Sequence, residues 1–239
     1  SQRLDHPGIY ANCVEDIDLV ASVILSYDSE DLDMIQNYQY KNDLNLNKSL
    51  KFGFVRGPVW NFGDEDMKNG IEEFVKNSQL DIEELDLGKD FEDAAKAHEI
   101  IMNGSIANSL INYYQADKSK LHPFTVKRIE AGIPVSASDY VSAIEKAKKM
   151  EKILRQLFLK YDSIITPAAP GQAPRDLMNT GNAIFNGYWT MMGVPAISLP
   201  FLKGRDNLPI GIQFIANWNE DLKLLEICKE VLKKEKLAD

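Results

Sequence analysis

Ser105 follows Gly104, and His6, His98 and His122 are the three imidazoles of this 239-residue chain. A serine attacks a carbonyl at neutral pH only with a base beside it and with donors already placed for the oxyanion. The sequence holds no Gly-x-Ser-x-Gly and no Gly-Gly pair. Ser105 itself lies inside an apolar-periodic helical pattern with no base near it in sequence, so no catalytic residue is assigned from types and spacing. The histidines share no metal-ligand spacing. Cys13 and Cys228 belong to no C-x-x-C pair, so no zinc or other metal site is expected. A P-loop and a GxGxxG are both missing, and no nucleotide, dinucleotide or other cofactor is expected.

What the chain does offer is material for a pocket. In α/β folds ligands sit beyond the carboxyl ends of strands. Asp162 to Thr166 is a short apolar run that meets Pro167. Read as a strand, it brings Thr166 and Ala168 to such an end. Asn182 and Asn186 stand at i, i+4 near the start of a helix expected over 181–192, and Trp189 on the same helix suits a cleft wall. Trp189 and Phe185, at helical spacing, suit a core equally well.

The elements that must position these residues follow from periodicity. Helices are expected over 13–26, 64–77, 91–114, 123–131, 138–160 and 221–234, with Asn12 as a cap for the first, Ser136 or Ser138 for the fifth, and a soft spot at 103–105 in the third. Residues 27–50 are polar and rich in Asn and Asp, and read as a long connection. Strands are expected over 50–55, 80–87, 162–166, 196–199 and 209–215. Strand, helix and strand between 50 and 87 make a βαβ unit, so part of the sheet is parallel. The fold class is α/β, a mixed, partly parallel sheet covered by helices, with residues 1–239 as a single domain.

A hydrophobic share of 44%, a charged share of 26% and a net charge of −9 are those of a globular protein without a nucleic-acid partner. The densest basic cluster, 146–152, reads as the solvated face of a helix. No apolar run reaches the roughly 18 residues a membrane span needs. Two isolated cysteines, each in an apolar pattern and read as a small buried hydrophobe, fit a reducing compartment, and the protein is expected to be cytoplasmic.

The stretch from Thr180 to Gln213 resembles the closing signature of the amidase signature family, whose members hydrolyse amide C–N bonds. Phe185, Asn186, Trp189, Thr190, Gly193, Pro195, Ser198, Pro200, Pro209, Gly211 and Gln213 carry that resemblance. Leu4, Asp5, His6, Pro7, Gly8, Val14, Glu15 and Asp16 resemble the segment that follows the family's nucleophile region. Residues 125–140 and 161–174 resemble a connector and the strand and loop that approach its cleft. Residues 28–120 resemble the family mainly in order of elements.

The resemblance implies a mechanism with one lysine and two serines, without metal or nucleotide. Those residues and their glycine-rich loop belong to a region this chain does not contain. It also implies that Arg128 stands where members that bind a carboxylated amide carry an arginine, a side chain that pairs bidentately with a carboxylate; a structural arginine is the alternative. The expected function is the carboxyl-terminal part of an amidase-type hydrolase, shaping the cleft for a small amide without the triad. The expected partner is the missing amino-terminal half or a partner chain, with homo-oligomers possible through the surface left open. The alternatives are part of an amidotransferase A subunit, or a noncatalytic binding module of the same fold.

Overall fold

Glycine and proline punctuate short apolar runs in this chain, and those runs become the strands. The structure is a computed structural model that describes residues 1, 3–30, 34, 40, 46 and 49–237. Among them, β1 (Lys51–Phe54), β2 (Asp81–Glu84), β3 (Ser163–Pro167), β4 (Ala196–Lys203) and β5 (Pro209–Ile215) form one mixed sheet in the order β2-β1-β3-β5-β4. β1 runs parallel to both β2 and β3, while β5 is antiparallel to β3 and β4. The expected βαβ unit is β1, α2 (Glu65–Asn77) and β2.

Alternation along the strands gives the sheet two buried faces. Phe52, Phe54, Ile165 and Phe214 share one face by register. There α2 lays Phe74 against Phe201 at 5.1 Å, Phe201 meets Phe214 at 6.2 Å, and Phe214 meets Phe52 at 6.2 Å. Ile164, Thr166, Gln213 and Ile215 share the other face, covered by α6 (Ile184–Met192). α3 (Ala94–Asp117) and α5 (Ala137–Leu157) pack on α6, and α4 (Pro123–Gly132) packs on α3. α1 (Val14–Ile24) packs on α7 (Asp221–Lys234). With helices on both faces, the architecture is the α/β fold expected from the sequence.

Several local details differ from expectation. α3 runs unbroken through Asn103-Gly104-Ser105. The small residues there serve a close crossing, since Gly132 of α4 lies against the Asn103 carbonyl and Ser105 Oγ is 3.1 Å from Tyr140 Oη of α5. α1 starts after Cys13, which is exposed and makes no side-chain cap bond, so Asn12 is not its cap and Cys13 is not a core residue. Cys228 is buried in α7. Ser136 is the cap of α5, its hydroxyl accepting from Asp139 N at 3.0 Å. β4 continues past Pro200 to Lys203 with a bulge between Leu199 and Leu202. Proline is tolerated there because β4 is a sheet edge. Most of the expected connection over 27–50 lies outside the described residues.

Candidate functional site

β1 and β3 are parallel neighbours, so their carboxyl ends open to the same side of the sheet. Val55 N donates to Ile165 O at 2.9 Å, which carries the pairing one residue past the end of β1. Beyond it Gly57 adopts φ 76°, a left-handed conformation that favours glycine. On β3, Thr166 is fully buried, and Ala168 N donates to Gly211 O at 3.1 Å.

α6 stands over these ends. Gln213 Nε2 donates to Pro167 O at 2.8 Å and to Phe185 O at 3.1 Å, so one β5 amide ties the end of β3 to α6. Thr166 Oγ1, Tyr188 Oη and Trp189 Nε1 are buried polar atoms without a hydrogen-bond partner among the described residues. The Tyr188 and Trp189 rings are tilted by 40° with centroids 4.8 Å apart, and Tyr188 Oη points at Gly57. Burial pushes the Tyr188 hydroxyl well above the usual phenol range, and the nearby Thr166 and Trp189 polar groups act in the opposite direction. The group is a neutral donor throughout the physiological range. Orphaned polar atoms of this kind are rare in a core and mark a place that calls for an explanation.

Asn182 and Asn186 are exposed. Asn182 Oδ1 accepts from Ile184 N at 3.0 Å, which starts α6 three residues later than the helix expected from 181. Trp189 is 1% exposed and faces the core. Arg128 is placed on α4. Its Nη1 donates to Asn103 Oδ1 at 3.3 Å and Glu99 Oε1 at 3.4 Å on α3, and its guanidinium lies 5.1 Å from the Phe124 ring centroid. His98, also on α3, abuts α6: a Cβ at Gly187 would lie 2.8 Å from its Nδ1. Burial lowers the His98 pKa, and the Arg128 charge lowers it further. The structure thus gathers Thr166, Ala168 and Trp189 around the strand ends, with Asn182 and Asn186 on the adjacent outer turn. Among the described residues the polar contacts of Arg128 are with Glu99 and Asn103 of α3.

The loop between β3 and α6 is strapped down at its first half. Asp206, in the β4–β5 turn, accepts from Gln172 Nε2 at 2.5 Å and Arg175 Nη2 at 2.5 Å, and Asp64 N donates to Pro170 O at 2.7 Å. Its second half holds Leu177 and Met178 almost fully exposed. An open groove of about 1430 Å³ lies elsewhere, between α3, the α4–α5 turn and the end of α6, and it is lined by none of the six expected site residues. Ser105 borders it with its hydroxyl engaged by Tyr140. His122 caps α4 through Nδ1, which accepts from Phe124 N at 3.2 Å, and His6 Nδ1 lies 3.0 Å from Leu4 O. Sequence reasoning did not single out Tyr188, Gly57 or His98 as site residues. For Gln213 there was a signal: it is a polar residue on the alternation of Gly211 and Ile215, opposite Ile210, Ile212 and Phe214.

The fold has close counterparts among solved structures. One is a protein from "An unexpected vestigial protein complex reveals the evolutionary origins of an s-triazine catabolic enzyme", with a TM-score of 0.81 and 19% identity over 95% of this chain and 53% of that one. Another is 6-aminohexanoate cyclic dimer hydrolase complexed with substrate, with a TM-score of 0.75 and 17% identity over 95% and 54%. In sequence the chain is similar to the A subunit of glutamyl-tRNA(Gln) amidotransferase from Aliarcobacter butzleri, 28% identical over 95% of this chain and 57% of the relative. It is likewise similar to that of Agathobacter rectalis, 27% identical over 90% and 50%. The chain spans about half the length of these relatives. The sequence profile of the Amidase family matches residues 1–225, and by that match, over a fold its members share, the chain belongs to the Amidase family.

Proposed function

We propose that this chain is the carboxyl-terminal part of an amidase-type hydrolase that cleaves an amide C–N bond, and that it shapes the substrate cleft while the nucleophile and base come from the other part. The observation that carries this reading is the family match over 1–225 in a chain that spans about half of its relatives. The local chemistry supports it. The serine best matched to a nucleophile by its preceding glycine is bonded to a tyrosine, and the imidazoles sit in capping, turn and packing roles. In this reading residues 1–239 act as one unit. Thr166, Ala168, Asn182, Asn186 and Trp189 border the cleft at the strand ends, and Arg128 meets a substrate carboxylate. Two unpaired cysteines fit a cytoplasmic enzyme.

A second reading, part of an amidotransferase A subunit, is favoured by the names of the two sequence relatives above, both of which are such subunits. A noncatalytic binding module is the third. Turnover of simple aliphatic and aryl amides by the purified chain separates them from an enzyme complete in itself. The chain alone is expected to show none, because removing triad members from serine hydrolases costs about four to six orders of magnitude. Turnover abolished by a point substitution within residues 1–239 would place the nucleophile here and overturn the reading. Amide hydrolysis restored by adding an amino-terminal half would exclude the noncatalytic module.

A further inference from the structure

Two of the three imidazoles are engaged close by in the chain. His6 Nδ1 lies 3.0 Å from Leu4 O, and His122 Nδ1 accepts from Phe124 N at 3.2 Å. His98 differs. Its side chain is half-buried, yet among the described residues neither ring nitrogen has a hydrogen-bond partner. Gly187 makes its place: a Cβ there would lie 2.8 Å from both Cε1 and Nδ1, so the ring rests on the bare backbone of α6, next to Asn186. A polar ring left without partners at a helix contact calls for an explanation. The charges around it are few. Burial first, and then the Arg128 guanidinium of α4, lower its affinity for a proton, while Glu99 on α3 raises it and is itself held by Arg128 at 3.4 Å. α6 carries no charged residue from Ile184 to Met192, and Lys146 of α5 is engaged by Asp93. At pH 7.5 His98 is therefore uncharged, close to a cation whose side chain keeps 27% exposure.

We propose that His98 and Arg128 form one proton-linked subsite for a small amide that carries a carboxylate: as the carboxylate pairs with Arg128, His98 takes a proton from solvent and becomes the second cation that holds it. This rests on the reading of Arg128 as the residue that meets a substrate carboxylate. The argument is electrostatic. A carboxylate on the guanidinium cancels the charge that discourages protonation of the ring, and it sets a negative charge near the imidazole. Binding and protonation are then reciprocal. The factor by which the ligand raises the proton affinity of His98 is the factor by which the proton raises the affinity for the ligand. Arg128 supplies the permanent charge and His98 the one that titrates near neutral pH. Preference for acidic over neutral amides therefore strengthens as pH falls from 8 to 6.

The test follows the imidazole NMR signals of the 239-residue chain through a pH titration with glutaramate, a small amide with a free carboxylate, and with butyramide as the neutral counterpart. With three histidines in the sequence, His6→Gln and His122→Gln assign the His98 signal by exclusion. Glutaramate is expected to make His98 hold its proton about tenfold more tightly, to leave His6 and His122 unmoved, and to bind roughly threefold or more tighter at pH 6 than at pH 8. Butyramide is expected to move none of the three, and Arg128→Ala to abolish the His98 response. Where that variant folds poorly, the wild-type titration decides. Equal movement of all three imidazoles means anion binding at large and overturns the subsite, as does a His98 response that survives in a folded Arg128→Ala. Glutaramate that binds through Arg128 with His98 unmoved removes His98 and leaves Arg128 its role. No binding of glutaramate removes both. The half-enzyme reading is decided apart from these outcomes, by whether an amino-terminal half restores amide hydrolysis.

Discussion

Gly57 leaves the space that the hydroxyl of Tyr188 occupies: a Cβ on Gly57 would lie 2.6 Å from Tyr188 Oη. The contact joins the turn after β1 to α6. Gly57→Ala therefore carries two penalties, a positive φ and a collision with a hydroxyl that is fully buried. A loss of about 1–3 kcal/mol in urea unfolding is expected. Tyr188→Phe removes the colliding atom and leaves the φ strain, so the double variant is expected to lose less than the sum of the two. Additivity within about 0.5 kcal/mol would mean that the two residues do not meet.

Thr166 Oγ1, Tyr188 Oη and Trp189 Nε1 lack partners among the described residues. An unpartnered buried hydroxyl costs about 1–3 kcal/mol of desolvation, and replacing it by an apolar group of the same shape removes that cost. Tyr188→Phe and Thr166→Val are each expected to keep or raise the thermal midpoint of the chain. A drop of several degrees in either would mean that the atom is hydrogen-bonded in solution.

The sheet was legible because each strand announces itself locally. Gly57-Pro58 ends β1, and the acids between Leu80 and Leu87 alternate with apolar residues. What could not be read was tertiary. Gly104 and Ser105 look like a break in α3, but they are small because α4 and α5 cross there. Pro200 looks like the end of β4 until the strand proves to be an edge. Cys13 has apolar neighbours in sequence yet stands exposed ahead of α1. Of the residues proposed for the site, Thr166 and Ala168 come from the rule that pockets lie past strand ends. The Tyr188 hydroxyl has no such signal, because Gly57, which it faces, is remote in sequence.

His98 supplies a pH dependence with a definite sign. Burial, then the charge of Arg128, holds its pKa below the ordinary value, while Glu99 opposes the shift weakly. A depressed histidine pKa means that the folded state binds fewer protons than the unfolded chain. The stabilisation is present above the unfolded value near 6.5 and is lost as pH falls toward and through the folded pKa. Between pH 7.5 and pH 5, His98→Gln is expected to flatten the fall in thermal midpoint relative to wild type. An equally steep fall in the variant would assign the effect to other groups.

Arg128 separates a binding role from a structural one. Its bonds to Asn103 and Glu99 at 3.3 and 3.4 Å are long, and its side chain keeps 27% exposure, so the guanidinium is held in place without being used up. If it meets a substrate carboxylate in the assembled enzyme, Arg128→Ala loses a charge-assisted pair worth roughly 1.5–3 kcal/mol, or about 10- to 150-fold in kcat/KM for acidic amides. Neutral amides are expected to be nearly unaffected. Arg128→Lys keeps the charge but not the fork, and is expected to recover only part of the loss. The competing structural role predicts a different pattern. Asn103 is 5% exposed, and stripping its partner would lower the thermal midpoint and depress both substrates equally. The assay therefore pairs kcat/KM on one acidic and one neutral amide with a melting curve of each variant. Equal losses with a lowered midpoint would assign Arg128 to the α3–α4 contact and remove it from the substrate site.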